Sequence, residues 1–404
     1  MPLFVCHLEG LHRIPLSDAL SDLPWIAAIL VILTALSLKA KFPVSAAMRQ
    51  KEIQDGFGIE TGTTLKGIAV LFLIFGHLAI VCIEGEVAFE YAGDWAVVIF
   101  LFLSGHGLVK KYRFRNPGKK FMRKRVAKLM IPLWLTLLLF YVLDYQLLGK
   151  SYPWQQMVEA FLGILYTRPP NAPAWFITFI LFLYGVFYLA CRLPVSDFVK
   201  PFALLIIYLV LLCLTAVTPL QGLLKKWIPY LVVFPAAAFI AYHSSHIFKL
   251  VGRFHEFSRL LYFGAIVVLF LFFYRASGIS ILCWVLPVEK AAAMMEIIRP
   301  LYLISAVILT AYLLEIARFT SSFLTFLGLF SLEIFLIHLP FMESYDLFLV
   351  RKPLTFFFFV YLSVIIVLAF GLRRLTDLLG RLVCIFALIC SDRILRVLPL
   401  DMRG

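Results

Sequence analysis

The chain is 404 residues long, 63% hydrophobic and 16% aromatic, with 15% charged residues and a mean hydropathy of +0.97. Soluble globular chains run at roughly 45 to 50% apolar, so a soluble domain is excluded. The formal net charge of +14 does not point to nucleic acid, because the basic residues lie between apolar blocks, where inward-facing loops of membrane proteins collect Lys and Arg.

Taken in chain order, apolar segments near the roughly 20 residues that cross a bilayer fall at about 24–39, 63–83, 91–110, 128–148, 174–192, 200–218, 226–242, 259–275, 298–316, 323–342 and 354–372. The first follows a polar-mixed stretch that lacks the pattern of a cleavable signal. The expected fold is all-α: a polytopic integral membrane helical bundle of about ten core spans plus one N-terminal span. Residues 1–59 hold the extra span, 60–372 the core, and 373–404 a cytoplasmic or interfacial tail, whose apolar periodicity is interrupted by Arg381, Asp392, Arg393 and Arg396. The cysteines Cys6, Cys82, Cys191, Cys213, Cys283, Cys384 and Cys390 are scattered, without CxxC or metal-ligand spacing. They read as small core residues, and no metal is expected.

The densest basic run comprises Lys110, Lys111, Arg113, Arg115, Lys119, Lys120, Arg123, Lys124, Arg125 and Lys128, and the positive-inside rule puts it in the cytoplasm. Alternating from there leaves about 26 Lys and Arg inside and about 10 outside. The N-terminus then lies outside and the C-terminus inside.

Ionisable residues within spans are costly and mark functional candidates. Lys66 and His77 lie eleven positions apart in one span, which at about 100° per residue is nearly three turns, so they share a helix face about 16 Å apart along the axis. A purely structural account has Lys66 snorkelling to lipid phosphates and His77 bonding a neighbouring helix. The next span ends Phe100-Leu101-Phe102-Leu103-Ser104-Gly105-His106-Gly107, with a hydroxyl beside small residues that allow close helix packing. After it, Arg125 and Lys128 share a helical face, with Arg123 beside them. That arrangement suits phosphate groups and also suits a positive-inside anchor. Glu333 and His338 diverge by about 140° around a helix, so no direct dyad is expected between them, and a mid-span Glu333 needs a partner. Glu84, Glu86, Glu90 and Asp94 read chiefly as a solvated outer loop, and otherwise as groups that bind acceptor hydroxyls at the outer face.

Lys-x10-His in a first core span, Phe-x-x-x-Ser-Gly ending the second, the basic turn Arg125 to Lys128 with the following Pro132, Ala174-Trp175-Phe176 opening a later span, and Ser331-Leu332-Glu333-Ile334-Phe335-Leu336-Ile337-His338 together resemble the bacterial membrane acyltransferase family 3. The resemblance covers about residues 60–372. The chain departs from the pattern at Val98, where many members carry an acidic residue, and at Lys128, where Arg is usual. It implies acyl-CoA, commonly acetyl-CoA, as co-substrate, and transfer of the acyl group to a hydroxyl of an extracytoplasmic glycan or lipid-linked sugar, in a bacterial cytoplasmic (inner) membrane. On it, Lys66, Arg123, Arg125 and Lys128 would meet the coenzyme A phosphates. His77 would be the general base, since imidazole titrates near neutral pH, or a nucleophile that is itself acylated, and Ser104 would position or polarise the thioester. Trp175 would wall the substrate tunnel, and His338 would belong to the substrate site. The rival reading is a transporter, flippase or polymerase of lipid-linked glycans, in which a midplane histidine serves a proton relay. A sensor or scaffold would give His77 no special role.

Overall fold

The computed structural model describes residues 16–36, 58–84, 92–163, 171, 174–217, 227, 230–252, 287, 305, 320–345 and 353–397. Among these residues the chain is all-helical: α1 (Leu16–Leu36), α2 (Ile59–Cys82), α3 (Ala92–Tyr112), α4 (Lys120–Leu148), α5 (Trp154–Phe161), α6 (Trp175–Ala190), α7 (Lys200–Val217), α8 (Val233–Gly252), α9 (Ser322–Leu329), α10 (Ser331–Glu343) and α11 (Leu354–Val397). Of these, α2, α3, α4 and the stretch Leu354–Leu382 of α11 are each long and apolar enough to cross a membrane. The chain is a membrane protein. Shorter apolar helices occur at Ser21–Ala35, Trp175–Ala190 and Val233–His243.

Two sequence expectations change. The first helix starts at Leu16, not near residue 24. The basic run is mostly helical, with Lys110 and Lys111 in the last turn of α3 and Lys120 to Lys128 opening α4. The apolar segment 323–342 is not one straight span, because α9 and α10 meet at an angle of 76°. Phe330 makes that break: with φ −101° and ψ 14° it sits in the bridge region between turn and helix. The Ser321 side chain caps α9 by accepting from the Leu324 amide at 3.3 Å. The expected spans at 259–275 and 298–316 lie outside the described residues, apart from Ser305.

The bent pair is held against α2 by backbone contact. A Cβ on Gly67 would stand 2.0 Å from the Leu324 carbonyl oxygen, and one on Gly328 would stand 1.9 Å from that of Thr63. Only glycine permits such an approach from both sides. The Thr64 and Thr325 hydroxyls, 3.2 Å apart, add a polar contact at the same crossing. Gly105 plays a similar part between α3 and α8, where its Cβ would lie 2.6 Å from the Phe234 carbonyl oxygen. The neighbouring Gly107 faces open space.

The reversal between α3 and α4 places Arg113 and Phe114 at φ 47° and 57°, a conformation that costs non-glycine residues energy. Packing supports it. Phe114 is fully buried with its ring 5.5 Å from Phe187 and 5.8 Å from Tyr242. Lys200 Nζ donates to the Phe114 carbonyl at 3.1 Å, to the Cys191 carbonyl at 3.3 Å and to Asp197 at 2.8 Å. This fixes where α4, and so the basic mouth, begins.

Candidate active site

Helix α2 builds the site along its length. Gly67 lets α9 approach beside Lys66, and three turns further on His77 emerges half-buried between α2 and α10. Its Nδ1 lies 2.7 Å from Nε2 of His338, with the rings 4.9 Å apart and inclined at 27°. His338 is fully buried, and its Nδ1 lies 3.0 Å from the Ile334 carbonyl and 2.9 Å from that of Phe335. Both ring nitrogens of His338 are therefore engaged within the protein. The backbone around it is pinned from outside: Tyr361 donates its hydroxyl to the His338 carbonyl at 2.5 Å, and Asn171 Nδ2 donates to the Leu336 carbonyl at 2.8 Å.

At the other end of α2 the basic groups converge. Lys66 lies within Coulombic reach of Lys128 and Arg125, and Lys128 within reach of Arg373 and Glu333. Arg125 packs its guanidinium 5.6 Å over Phe121 and 5.2 Å over Tyr184, a cation held on aromatic faces. The Tyr184 hydroxyl donates to Ser104 Oγ at 3.4 Å. Ser104 is thus tied to the basic mouth, and among the described residues no hydrogen bond joins it to His77. Arg123 is exposed and stands about 200° around the helix from Arg125, so it does not share the inward face of Arg125.

Glu333 finds its partner in Arg373, with Oε1 3.3 Å from Nη1. Its Oε2 is buried with no hydrogen bond among the described residues. Sequence reasoning did not single out Arg373, which reads there as one more cation at the inner end of the last span, nor Tyr184, Asn171 or Tyr361. Their only signal was a polar group within or beside an apolar run.

Trp175 lies in an aromatic cluster, with ring centroids 5.8 Å from Tyr230 and 6.2 Å from Phe179. Tyr230 in turn donates its hydroxyl to Asp94. Asp94 is therefore a half-buried, bonded carboxylate at the start of α3 and not part of a solvated loop, whereas Glu84 is exposed. Glu86 and Glu90 lie outside the described residues. Val98, where an acid is common in the resembling family, is fully buried in the apolar core. A second polar knot lies at the far end of α4, where the buried Asp144 accepts from Tyr345 at 2.6 Å and from Tyr152. Burial, and next the bond to Asp144, pushes the Tyr152 phenol well above its ordinary value, so it remains a donor. Among the described residues no three His, Cys, Asp or Glu side chains group as metal ligands.

The chain matches the family model of acyltransferase family 3, described as an acyltransferase domain, over residues 63–374. It belongs to that family. The matched stretch runs from the start of α2, past Lys66, His77, the basic mouth and His338, to the residue after Arg373, so every group described above lies within the acyltransferase domain. Neither the curated proteins nor the solved structures yield a match. The protein is a membrane acyltransferase.

Proposed function

We propose that this acyltransferase moves an acyl group, commonly acetyl, from cytoplasmic acyl-CoA to a hydroxyl of an extracytoplasmic glycan or lipid-linked sugar. The observation that carries the reading is the division of labour along α2. A cluster of cations gathers around Lys66 at one end, and a half-buried imidazole lies about 16 Å away along the same helix. Coenzyme A has the same plan: a polyanionic nucleotide end and a long neutral arm that ends in the thioester.

Lys66, Arg125 and Lys128 hold the phosphates by charge-assisted contacts, with Arg373 beside Lys128, and Arg123 contributes from the rim. Ser104, bonded to Tyr184, meets the arm or the thioester carbonyl at the inner end of the tunnel. His77 removes the proton from the acceptor hydroxyl as that oxygen attacks the thioester carbonyl. The C–S bond then breaks, and the departing coenzyme A thiolate takes the proton back from His77. Trp175 forms part of the wall facing the acceptor. The membrane is the bacterial cytoplasmic (inner) membrane, with the N-terminus outside, the C-terminus inside, and about ten spans in the core. The split of basic residues between the two sides supports this orientation.

The test is direct. Purified protein in lipid nanodiscs is given acetyl-CoA labelled in the acetyl group, with and without a crude lipid-linked oligosaccharide fraction. Label transferred to saccharide, and lost in His77→Ala, is the expected result. Lipid-linked saccharide crossing the bilayer without any need for acyl-CoA would overturn it in favour of a transporter.

A further inference from the structure

We infer that His338 fixes the proton on Nδ1 of His77, so that the opposite nitrogen, Nε2, is the atom that accepts the proton of the acceptor hydroxyl. The inference rests on the reading of His77 as general base and adds to it a positioning residue and a reacting atom.

The direction of the hydrogen bond follows from elementary donor and acceptor roles. A carbonyl oxygen only accepts, and the Nδ1 of His338 lies 3.0 and 2.9 Å from the carbonyls of Ile334 and Phe335, so that nitrogen carries hydrogen. A neutral imidazole has one N–H. Its Nε2 is then bare, and the contact of 2.7 Å to His77 Nδ1 is possible only if His77 supplies the hydrogen. His77 in turn is left with a lone pair on Nε2, which makes no hydrogen bond among the described residues. The neutral state of His338 follows from its surroundings. It is fully buried, neither imidazole forms an ion pair among the described residues, and the two acids of its helix, Glu333 and Glu343, each stand five positions away, about 140° around the helix from His338, Glu333 being already paired with Arg373. A second proton there would be an uncompensated charge in the apolar interior, which is strongly disfavoured.

The surroundings also explain why the orientation is sharp. The His338 ring is aimed by two carbonyls of its own helix, and that turn is held by Tyr361 and Asn171 from neighbouring segments. The residue that orients a histidine decides which of its nitrogens is basic. A carboxylate usually fills that role; here a neutral imidazole does. When His77 takes up a proton during transfer, His338 Nε2 remains an acceptor and the bond becomes charge-assisted.

The experiment combines nitrogen NMR with kinetics on the full chain in nanodiscs. Protein labelled with 15N-histidine, with His77→Asn used to assign the His77 signals, should show His77 protonated on Nδ1 and bare on Nε2. A His77 ring protonated on Nε2 would overturn the inference, whatever the activity. In kinetics, His338→Leu removes the acceptor while keeping an apolar side chain of similar reach. Its kcat should fall about 10²-fold, within the range a positioned base supplies, with the KM for acyl-CoA changed less than about twofold. His338→Gln places an amide oxygen near the former Nε2 and should recover activity to within about tenfold of wild type, which a merely space-filling role would not require. Full kcat in His338→Leu would sink the positioning role. A wild-type protein with the expected nitrogen signals but no acyl transfer from any acyl-CoA would overturn the functional reading instead, and the direction of the hydrogen bond would stand.

Discussion

Arg373 reaches across from α11 to place Nη1 3.3 Å from Oε1 of Glu333, a carboxylate whose side chain is 2% exposed while the arginine is 41% exposed. The acid is thus inside and its counter-ion is at the rim, at the point where α9 and α10 meet. Removing one member of a fully buried pair costs about 3 to 5 kcal/mol, and exposure of the arginine screens part of that. Arg373→Met should therefore lower stability by roughly 1 to 2 kcal/mol, read as a drop in the thermal unfolding midpoint in detergent. Adding Glu333→Gln to it should restore most of the loss. A double variant no more stable than Arg373→Met would show that the pair is not the interaction being lost.

Lys66 and His77 separate in kinetics because they stand at opposite ends of one face. His77→Ala should lower kcat by about 10²-fold or more and leave acyl-CoA binding nearly intact. Lys66→Ala should raise the KM for donor with a smaller change in kcat, since contact with phosphate is present in ground state and transition state alike. Size-exclusion profiles should match wild type for both. Loss of folded protein in step with loss of activity in His77→Ala would make that histidine structural.

For the basic mouth, the double replacement Arg125→Gln with Lys128→Gln should raise donor KM steeply. A charge-assisted contact contributes about 1.5 to 3 kcal/mol, so the loss of even one corresponds to roughly tenfold or more. Arg123→Gln alone, on a different face of the helix, should change donor KM much less. Equal effects from the two sets would mean that the mouth acts as a diffuse field and not through the pair Arg125 and Lys128.

Gly67→Ala tests the crossing of α2 with α9. The new Cβ would fall 2.0 Å from the Leu324 carbonyl oxygen, so helix backbones, not a flexible side chain, must move. Folded yield and thermal midpoint should fall sharply. Gly107→Ala, with nothing within 4 Å, should be neutral or stabilising by up to about 1 kcal/mol, the ordinary advantage of alanine within a helix. Similar behaviour of the two would contradict the tight crossing.

Much of this arrangement was legible in the sequence. The spacing of Lys66 and His77 follows from helical periodicity alone, and charge patterning picked out Arg125 and Lys128. What periodicity does not carry is which helices meet. The contact of His77 with His338 joins residues 261 positions apart, and nothing local to either one encodes it. The bend at Phe330 was also hidden, because a hydropathy window averages over the break and no proline or glycine stands at position 330 itself. A mid-span Glu333 needs a partner, but any of several inner cations satisfies that need on sequence alone. Only packing of α11 against α10 selects Arg373. Adjacency in sequence groups Arg123 with Arg125, yet two positions along a helix is more than half a turn.

Gly67 and Gly328 each precede their histidine, His77 and His338, by ten positions. The two chain segments are therefore fastened at two rungs, a notch where backbones touch and a bond between two rings. A ladder with two rungs cannot shear without breaking both. Sliding one segment past the other by a single residue, about 1.5 Å along a helix, would open the bond between the rings and at the same time drive the Leu324 carbonyl out of its notch. The register of the two histidines is thus tied to a main-chain fit at Gly67 and Gly328, ten positions before each of them.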